Sequence, residues 1–366
     1  MFKSPQALYL HVPFCHSICA YCDFTRAPIH PQLTQKWLQS LSKEISERVV
    51  NKKLKTIYLG GGTPTALTAS DLDTLLCLLD DYAKEVEEYT IEVNPESLTE
   101  EKVKILKKHG VHRLSIGIQS TKGSLLQLMG RKHTFNQVVT WVKYLQSEGF
   151  NNISVDCMYS LPTQTKEDLL QTLQDLVSLH IQHVSLYSLT IEPHSRFGRE
   201  GFCNLDEDTE SSMYFFAVDY LRSQGFHQYE ISSFAQVGFQ SQHNQVYWHY
   251  EDYYGIGLGA SGKENHKRYD NTTYFPDYFK GEWIKEMISL SIEDEMFEMV
   301  MMNLRLHQGL ELKRFNCYFQ QEFDVVFKRS VQSCLQKNWL EIENGFVRCT
   351  NLGYPILNTI LQEFMD

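Results

Sequence analysis

The run His11-Val-Pro-Phe-Cys15-His-Ser-Ile-Cys19-Ala-Tyr-Cys22-Asp-Phe24 is the most informative part of this 366-residue chain. It sets Cys15, Cys19 and Cys22 in one short loop, directly after the strand-like residues 7–14. Three thiolates can bind three irons of a 4Fe-4S cluster, and the fourth iron then keeps an open coordination position. The loop therefore predicts an iron-sulfur site at which an exchangeable ligand can bind.

Three other interpretations of the cysteine loop remain open at this point. A structural zinc ion could use the three cysteines together with His11 or His16, which would complete a Cys3His site. A disulfide with one free thiol, or three unconnected buried thiols, would also account for the residues, although cysteines clustered in a polar loop are not typical of a core. The other six cysteines are scattered and predict buried thiols in a reducing compartment: Cys77, Cys157, Cys203, Cys317, Cys334 and Cys349.

The composition predicts a folded protein and excludes some classes of partner. The chain is 42% hydrophobic and carries 45 acidic against 34 basic side chains, for a formal charge of -11. This charge argues against a nucleic acid or an anionic membrane as the main partner. No signal-peptide pattern opens the chain, and no apolar run approaches the roughly 18–20 residues of a transmembrane helix. We therefore expect a soluble, cytoplasmic protein.

Residues 7–190 alternate between short apolar runs and longer amphipathic segments, which is typical of a βα repeat. The strand-like runs are residues 7–14, 55–60, 89–94, 113–119, 153–158 and 183–189, and the helix-like segments are residues 34–50, 70–82, 100–109, 135–148 and 167–180. Parallel neighbouring strands need a long crossover connection, and a helix between two strands provides one, so this alternation predicts a parallel sheet. The expected fold class is α/β, with either a partial barrel or an open doubly wound sheet. In both, ligands gather beyond the carboxyl ends of the strands, where the cysteine loop begins.

The second half of the chain predicts an extension of the sheet and a small separate domain. A helix over residues 210–223 and a strand over 229–234 would extend the sheet. The glycine-rich residues 247–262 predict a loop that packs closely against another backbone rather than a dinucleotide site. Helical segments at 293–304, 311–315 and 320–336, a hairpin at Asn344-Gly345 and a terminal helix predict a winged-helix-like domain. We thus expect three parts: residues 1–235, 236–290 and 291–366.

The Cys-x3-Cys-x2-Cys loop after the first strand resembles the signature of the radical SAM superfamily. The resemblance implies a partial (β/α)6 barrel and a 4Fe-4S cluster held by Cys15, Cys19 and Cys22. It also implies that S-adenosylmethionine binds at the open iron. One-electron cleavage of its sulfonium would yield a 5'-deoxyadenosyl radical, so the cofactor would carry the difficult chemistry.

Further motifs follow the predicted strand ends and carry the same resemblance. Gly60-Gly61-Gly62-Thr63-Pro64 follows the second strand, where glycines would let the backbone approach a ligand; a simple turn is the other interpretation. By resemblance, the S-adenosylmethionine contacts are Tyr9, Gly61, Gly62, Thr63, Glu92, Gln119, Arg131 and Asp156. Arg131 suits the carboxylate, while acidic and amide groups suit the ammonium and the hydroxyls. Ser160 stands where the family commonly has glycine, which leaves the conformation of its loop open.

The similarity extends over essentially the whole chain to the HemN/HemW group, whose members are oxygen-independent coproporphyrinogen III oxidases or heme chaperones. Phe24 stands where the oxidases have a fourth cysteine, and only fourteen residues precede Cys15, whereas the oxidases carry an N-terminal extension. His243-Asn-Gln-Val-Tyr247-Trp248 matches the HNxxYW motif that is associated with heme binding. The resemblance favours a heme chaperone over a coproporphyrinogen dehydrogenase-like oxidoreductase of porphyrin biosynthesis.

For a heme chaperone, the resemblance implies three kinds of partner: heme, heme-acceptor proteins such as those of respiration, and a protein that reduces the cluster. A neutral imidazole can ligate heme iron, and flat aromatic side chains can cover the macrocycle. The expected heme contacts are therefore His243, Tyr247 and Trp248.

Overall fold

This computed structural model describes residues 4–365, whose first half consists of repeated strand and helix units. The strands are β1 (Ala7–Val12), β2 (Phe14–Cys15), β3 (Ala27–Pro28), β4 (Thr56–Gly61), β5 (Glu88–Val93), β6 (Arg113–Gln119), β7 (Asn152–Tyr159), β8 (His183–Ser188), β9 (His227–Glu230), β10 (Ser233–Ala235), β11 (Tyr254–Ile256), β12 (Ser261–Glu264), β13 (Lys267–Asn271), β14 (Ile284–Ser289), β15 (Leu310–Glu311), β16 (Leu340–Glu343) and β17 (Phe346–Cys349). The α-helices are α1 (Pro31–Arg48), α2 (Ala69–Cys77), α3 (Glu100–Lys108), α4 (Gly123–Met129), α5 (Phe135–Ser147), α6 (Lys166–Ser178), α7 (Arg196–Arg199), α8 (Glu207–Ser223), α9 (Gln242–Trp248), α10 (Phe275–Lys280), α11 (Ile292–Asn303), α12 (Leu312–Phe319), α13 (Phe323–Val326), α14 (Lys328–Gln336) and α15 (Leu357–Gln362). Short 3-10 helices occur at Pro64–Ala66, Pro95–Ser97 and Tyr354–Ile356.

A nine-stranded sheet organises the protein, in the order β11-β1-β4-β5-β6-β7-β8-β10-β9. From β11 to β8 every neighbouring pair is parallel, whereas β10 pairs antiparallel with β8 and β9. The order is open at both edges, yet residues of β4 to β8 line one common cavity, so the strands curve into a partial barrel. The predicted α/β fold with a parallel sheet is confirmed.

Side-chain caps and an apolar stripe place the crossover helices on the sheet. At the start of α6, the Thr165 hydroxyl accepts from the backbone of Asp168, whose carboxylate accepts from the backbone of Thr165. Leu169, Leu173 and Leu176 recur at helical spacing along α6 and are buried in the main core. The helices thereby cover the outer face of the sheet, which leaves its inner face for polar side chains.

Two segments of the main sheet differ from the sequence-based expectation. Residues 229–234 are not one strand, because a turn at 231–232 separates β9 from the antiparallel β10. Residues 247–262 are not only a loop, because β11 pairs with β1 at the opposite edge of the sheet. The expected close backbone approach is confirmed: a Cβ on Gly255 would lie 1.9 Å from the carbonyl oxygen of Ser261, and one on Gly257 would lie 2.4 Å from that of His11.

A second hydrophobic core lies in the C-terminal residues, where α11 to α15 pack with the small sheet β15-β17-β16. The expected hairpin is present, with left-handed φ angles of 52° at Asn344 and 83° at Gly345. The expected helix over 320–336 is instead two helices, because Phe327 leaves the helical conformation between α13 and α14.

The middle segment packs on the main sheet, since Tyr254, Ile256 and Tyr278 belong to the main hydrophobic core. Within this segment, β12-β13-β14 form a separate antiparallel sheet that the sequence did not predict. The expected division into three parts remains a prediction, and its residues 1–3 and 366 lie outside the described part of the chain.

The scattered cysteines divide into two groups. Cys157, Cys334 and Cys349 are buried, as expected, whereas Cys77, Cys203 and Cys317 are exposed, so the prediction of buried thiols was wrong for the latter three. Isolated cysteines carry no periodic signal that separates a buried position from an exposed one. Among residues 4–365, no helix has both the length and the apolar character that crossing a membrane requires.

Candidate cofactor site

The cysteine loop is held open at the carboxyl end of β1. Cys15 is buried and belongs to β2, which pairs with β3, while Cys19 and Cys22 are partly exposed. A turn links the last two, with the Cys22 amide donating to the Cys19 carbonyl at 3.3 Å. The backbone of Ala20 is tied to Met129 at 2.9 Å, which anchors the loop to the end of α4. The loop thus presents three sulfurs from a fixed backbone.

The surroundings of the loop argue against a single zinc ion. Both ring nitrogens of His11 already have partners, the Tyr9 hydroxyl at 3.0 Å and the Thr25 carbonyl at 2.8 Å, so His11 is not free to complete a Cys3His site. A tetrahedral zinc ion would hold thiolate sulfurs about 3.8 Å apart. Within residues 4–365, the only trio of ligand atoms that all lie within 4.8 Å of one another belongs to Asp73, Cys77 and His109, so the three loop sulfurs are spread more widely. That spacing suits a cluster of several metal ions.

The glycine loop after β4 closes against the cysteine loop. A Cβ on Gly62 would lie 2.7 Å from the Phe14 carbonyl oxygen and 2.9 Å from the Cys15 sulfur. Gly61 has a φ of +111°, which side chains rarely adopt, and a Cβ there would meet the His11 ring at 2.7 Å. The glycines are therefore required by close approach, and the alternative of a simple turn does not account for them.

A cavity of about 450 Å³ opens beside the two loops, at the carboxyl ends of β4 to β8. Its volume falls in the range of small-molecule sites. Of the residues that the sequence singled out, the cavity is lined by Cys15, Cys19, Cys22, Gly61, Gly62, Thr63, Glu92, Gln119, Arg131 and Asp156. Tyr9 is not among the lining residues, because its hydroxyl turns toward His11.

Glu92 and Asp156 face this cavity, and within residues 4–365 neither carboxyl group has a basic side chain as a hydrogen-bond partner. Glu92 accepts from the Tyr58 hydroxyl at 2.9 Å and from the Gly61 amide at 3.1 Å, and Asp156 accepts from the Ser115 hydroxyl at 3.2 Å. Burial, together with the nearby charge of Asp156, raises the pKa of Glu92 to about 8. Burial likewise raises the pKa of Asp156. Such a pair suits a ligand that brings positive charge and hydroxyl donors.

Arg131 supplies the positive charge on the other side of the cavity. Its guanidinium donates to Asn94 Oδ1 at 2.8 Å, to the Gly117 carbonyl, and to the Cys19 sulfur at 3.7 Å. Behind it, burial opposes ionisation of Glu96, but the hydrogen bond from His133 and the charge of Arg131 outweigh burial and lower the pKa of Glu96 to about 2. The guanidinium is thereby oriented toward the cysteine loop, where it can bind a carboxylate.

Asn94 and Tyr58 are two of the cavity residues that the sequence analysis missed. Asn94 bridges the site, since its amide donates to the Thr63 hydroxyl at 2.7 Å while its oxygen accepts from Arg131. Tyr58 contributes the hydroxyl on Glu92. Asn94 could have been found because it follows β5 immediately, at the strand end where the other site residues cluster, whereas Tyr58 looks like any aromatic residue of a buried strand.

Ser160 shows how this chain accommodates the loss of a glycine. It has a φ of 60°, in the left-handed region, at the carboxyl end of β7. A residue with a side chain can adopt this conformation at a cost of about 1–2 kcal/mol. The loop therefore keeps the conformation that a glycine would favour, and Asp156 stays in the cavity.

The HNxxYW motif lies at the opposite end of the barrel from the cysteine loop. The motif lies on helix α9, whose amino terminus contacts Glu88, the first residue of β5. The Glu88 carboxylate accepts from the backbone amides of Gln242 and His243 at 2.9 Å each. Glu88 and Arg113 form a buried ion pair at 3.8 Å beside this helix terminus. The contacts place α9 across the amino ends of the strands.

His243 points into the barrel and is fully buried. Its Nδ1 is 2.8 Å from the Thr56 hydroxyl and its Nε2 is 2.8 Å from the Tyr247 hydroxyl. The ring of Tyr58 stacks on the imidazole at 5.3 Å between centroids. In this conformation both ring nitrogens are occupied, so iron ligation by His243 would require Tyr247 or Thr56 to give way, and the predicted heme contact remains a prediction.

Trp248 lies at the end of α9 and is partly exposed. The Arg305 guanidinium lies 5.7 Å from the centre of the Trp248 ring. The indole Nε1 of Trp248 is buried and has no hydrogen-bond partner among residues 4–365. The structure therefore does not bring His243, Tyr247 and Trp248 into the cavity of the cysteine loop. Tyr58 connects the two ends of the barrel, because it contacts both His243 and Glu92.

Comparison with known proteins places these features in a family. Residues 9–176 match the radical SAM superfamily, and residues 290–356 match the HemN C-terminal domain. The chain is 34% identical to a protein named heme chaperone HemW from Lactococcus lactis, with 100% of this chain and 98% of that protein covered. It is 33% identical to the heme chaperone HemW of Bacillus subtilis, with 98% and 99% covered. The solved structure of coproporphyrinogen III oxidase (HemN) from Escherichia coli superposes with a TM-score of 0.85 at 20% identity, over 99% of this chain and 90% of that chain, which is a likeness of fold.

Proposed function

Because this chain belongs to the HemW family of the radical SAM superfamily, we propose that it is a heme chaperone that carries a 4Fe-4S cluster and binds S-adenosylmethionine. The observation that carries the proposal is the full-length similarity to proteins named heme chaperone HemW, at 34% identity for the relative from Lactococcus lactis and 30% for that from Escherichia coli. The protein would bind heme and transfer it to acceptor proteins.

The cavity supports the two cofactors through its own side chains. Cys15, Cys19 and Cys22 would hold the cluster, since their sulfurs line one wall and are too widely spaced for one metal ion. When bound, the cluster and S-adenosylmethionine supply one-electron cleavage of the sulfonium. Arg131 would bind the carboxylate of the ligand, and the carboxyl groups of Glu92 and Asp156 would accept from its ammonium and hydroxyl groups.

The oxidase alternative has less support. The resemblance to the solved oxidase structure extends to the fold, and 20% identity carries no activity with it. At the position of the expected fourth cysteine, Phe24 lines the cavity with an exposed aromatic ring. Anaerobic conversion of coproporphyrinogen III with release of 5'-deoxyadenosine would establish the oxidase activity and overturn the chaperone proposal.

Heme titration tests the proposal directly. Cluster-reconstituted protein should take up heme with a shifted Soret band, and His243→Ala should weaken this uptake if the imidazole ligates the iron. Tyr247→Phe is the matched control, because it removes the hydroxyl from Nε2 and leaves the imidazole in place. We expect this variant to bind heme at least as tightly as the wild type. No heme uptake by the wild-type protein would contradict the chaperone function.

A separate measurement tests the cluster. Alanine at Cys15, Cys19 or Cys22 should remove iron and sulfide, whereas Cys317→Ser, at an exposed thiol far along the chain, should retain both. Zinc without iron in the wild-type protein would refute the cluster. The proposal also includes two kinds of partner that the heme titration does not address, namely acceptor proteins for heme and a protein that reduces the cluster. It further includes a cytoplasmic location.

A further inference from the structure

A second group of metal-ligating side chains lies on the outer helices, away from the cysteine loop. Asp73 and Cys77 stand four residues apart on α2, so they share one face of the helix. His109 follows the last residue of α3, which packs against α2. One carboxylate oxygen, the thiol sulfur and one ring nitrogen of these three residues all lie within 4.8 Å of one another.

The spacing of these atoms is close to that of a coordination shell. His109 Nε2 lies 2.9 Å from Asp73 Oδ1. A tetrahedral ion with bonds of about 2.0–2.3 Å holds its ligand atoms about 3.3–3.8 Å apart. Small side-chain rotations would therefore bring the carboxylate, the thiolate and the imidazole onto one ion, and solvent would supply the fourth ligand.

The orientation of the imidazole is fixed by a second carboxylate. Asp80 Oδ1 lies 2.7 Å from His109 Nδ1, on the other side of the ring. If Nδ1 carries the proton and donates to Asp80, the lone pair of Nε2 faces Asp73 and Cys77. A carboxylate on the far nitrogen is the arrangement that commonly orients metal-bound histidines. The side chain of His109 is 3% exposed, so packing as well as hydrogen bonding holds the ring.

The charges around the group favour a cation. Asp73, Asp80 and a Cys77 thiolate would place three negative charges around one neutral imidazole. The Lys108 ammonium now lies 2.8 Å from Asp73 Oδ1, and a protonated His109 would make ion pairs with both carboxylates. Both side chains of the lysine pair are exposed to solvent, so a divalent ion can displace the lysine.

From this geometry we propose that Asp73, Cys77 and His109 form a site for a divalent transition metal, with Zn²⁺ as the ion that best suits one thiolate, one imidazole and one carboxylate. The site would stand apart from the cluster, since it uses α2 and the end of α3 on the outer layer and none of the cavity residues. It rests on no part of the proposed heme function.

Zinc protection of Cys77 tests the proposal in the cluster-loaded protein, where the loop cysteines are already occupied. With micromolar buffered zinc, we expect one additional zinc ion per chain and at least tenfold slower alkylation of Cys77 by iodoacetamide, mapped by mass spectrometry. Cys203 is the internal control, because it is also exposed and its alkylation should not change with zinc.

Two variants separate the site from adventitious binding. Cys77→Ser changes one exposed atom and should abolish the additional zinc while iron content and circular dichroism stay unchanged, and Cys203→Ser should keep the zinc. Equal alkylation of Cys77 with and without zinc would overturn the proposal, and so would undiminished zinc uptake by Cys77→Ser. Either result would leave the cluster and heme measurements unaffected, so the two proposals fail independently.

Discussion

Replacement of Glu92 by glutamine tests the electrostatics of the cofactor cavity. Glu92 lies at the end of β5, where its carboxyl group accepts from Tyr58 and Gly61 and faces the cavity. Because burial and the charge of Asp156 raise its pKa to about 8, the carboxyl group is largely protonated at neutral pH in the ligand-free protein. The ammonium group of a ligand binds the carboxylate more strongly than the neutral acid, so we expect binding to release this proton.

The size of the effect follows from this pKa. Removing the proton costs about 2.7 kcal/mol at pH 6 and about 1.4 kcal/mol at pH 7, and the cost falls below about 0.1 kcal/mol at pH 9. The contribution of Glu92 to affinity should therefore grow about 90-fold between pH 6 and pH 9. The glutamine variant has no proton to release, and loss of a charged hydrogen bond should weaken its binding at pH 9 by about 10- to 100-fold.

The assay is anaerobic equilibrium dialysis of S-adenosylmethionine against cluster-loaded protein from pH 6 to pH 9. The ligand's own amino group also titrates in this pH range, but it affects both proteins equally. Its effect therefore cancels in the ratio of the dissociation constants of the wild type and Glu92→Gln. Glu192→Gln is the control, since Glu192 lines the same cavity but has no hydrogen bond to the glycine loop. A ratio that stays constant over this pH range would refute the reasoning, as would undiminished affinity of Glu92→Gln at pH 9.

Three further predictions concern other parts of the barrel. Glu88→Ala breaks the buried ion pair with Arg113 and removes the carboxylate that caps α9, so urea unfolding should show a loss of about 3–5 kcal/mol; a loss below about 1 kcal/mol would contradict the cap. Asn94→Ala should weaken S-adenosylmethionine binding about tenfold, through loss of one hydrogen bond to a charged group, while iron content stays unchanged. Burial lowers the pKa of His243 to about 3, below its ordinary value near 6.5, so the unfolded chain takes up a proton that the folded chain does not. The free energy of unfolding is therefore unaffected above pH 6.5 and falls as the pH drops from 6.5 toward 3, with a loss of about 2 kcal/mol at pH 5. Urea unfolding of His243→Gln should show a correspondingly flatter pH dependence.

Much of the barrel could be predicted because its strands carry a strong local signal. Residues 113–119 form β6 with the predicted boundaries, since Leu114, Ile116 and Ile118 alternate with polar or small residues, which is the period-2 pattern of a strand. The turn at Asn344-Gly345 was predictable for the same reason, as the two residues suit the left-handed angles that they adopt. By contrast, no local sequence pattern indicated that β11 would pair with β1, because the sheet edge that a strand joins depends on residues far away in the chain.

The cofactor site was predictable to the extent that topology places it. Cys15, Glu92, Gln119 and Asp156 each lie at or near the carboxyl end of a parallel strand, and such ends meet at one edge whatever the details of packing. Tyr9 shows the limit of this rule. Tyr9 also lies on a strand of the parallel sheet, β1. However, its hydroxyl contacts the ring of His11, two residues away, and does not face the cavity.

The sequence by itself determined the cysteine loop, the glycine loop and the order of strands and helices, because each rests on residues that are neighbours in the chain. Only the tertiary structure decided where the HNxxYW motif points. Its helix has seven residues and could present His243 to solvent or to the barrel. The contacts that choose the barrel come from Thr56, 187 residues away, and from Glu88, 155 residues away from His243. Such distant partners leave no periodic trace in a single chain, so the orientation of the imidazole is set only when β4 and β5 have assembled beside α9.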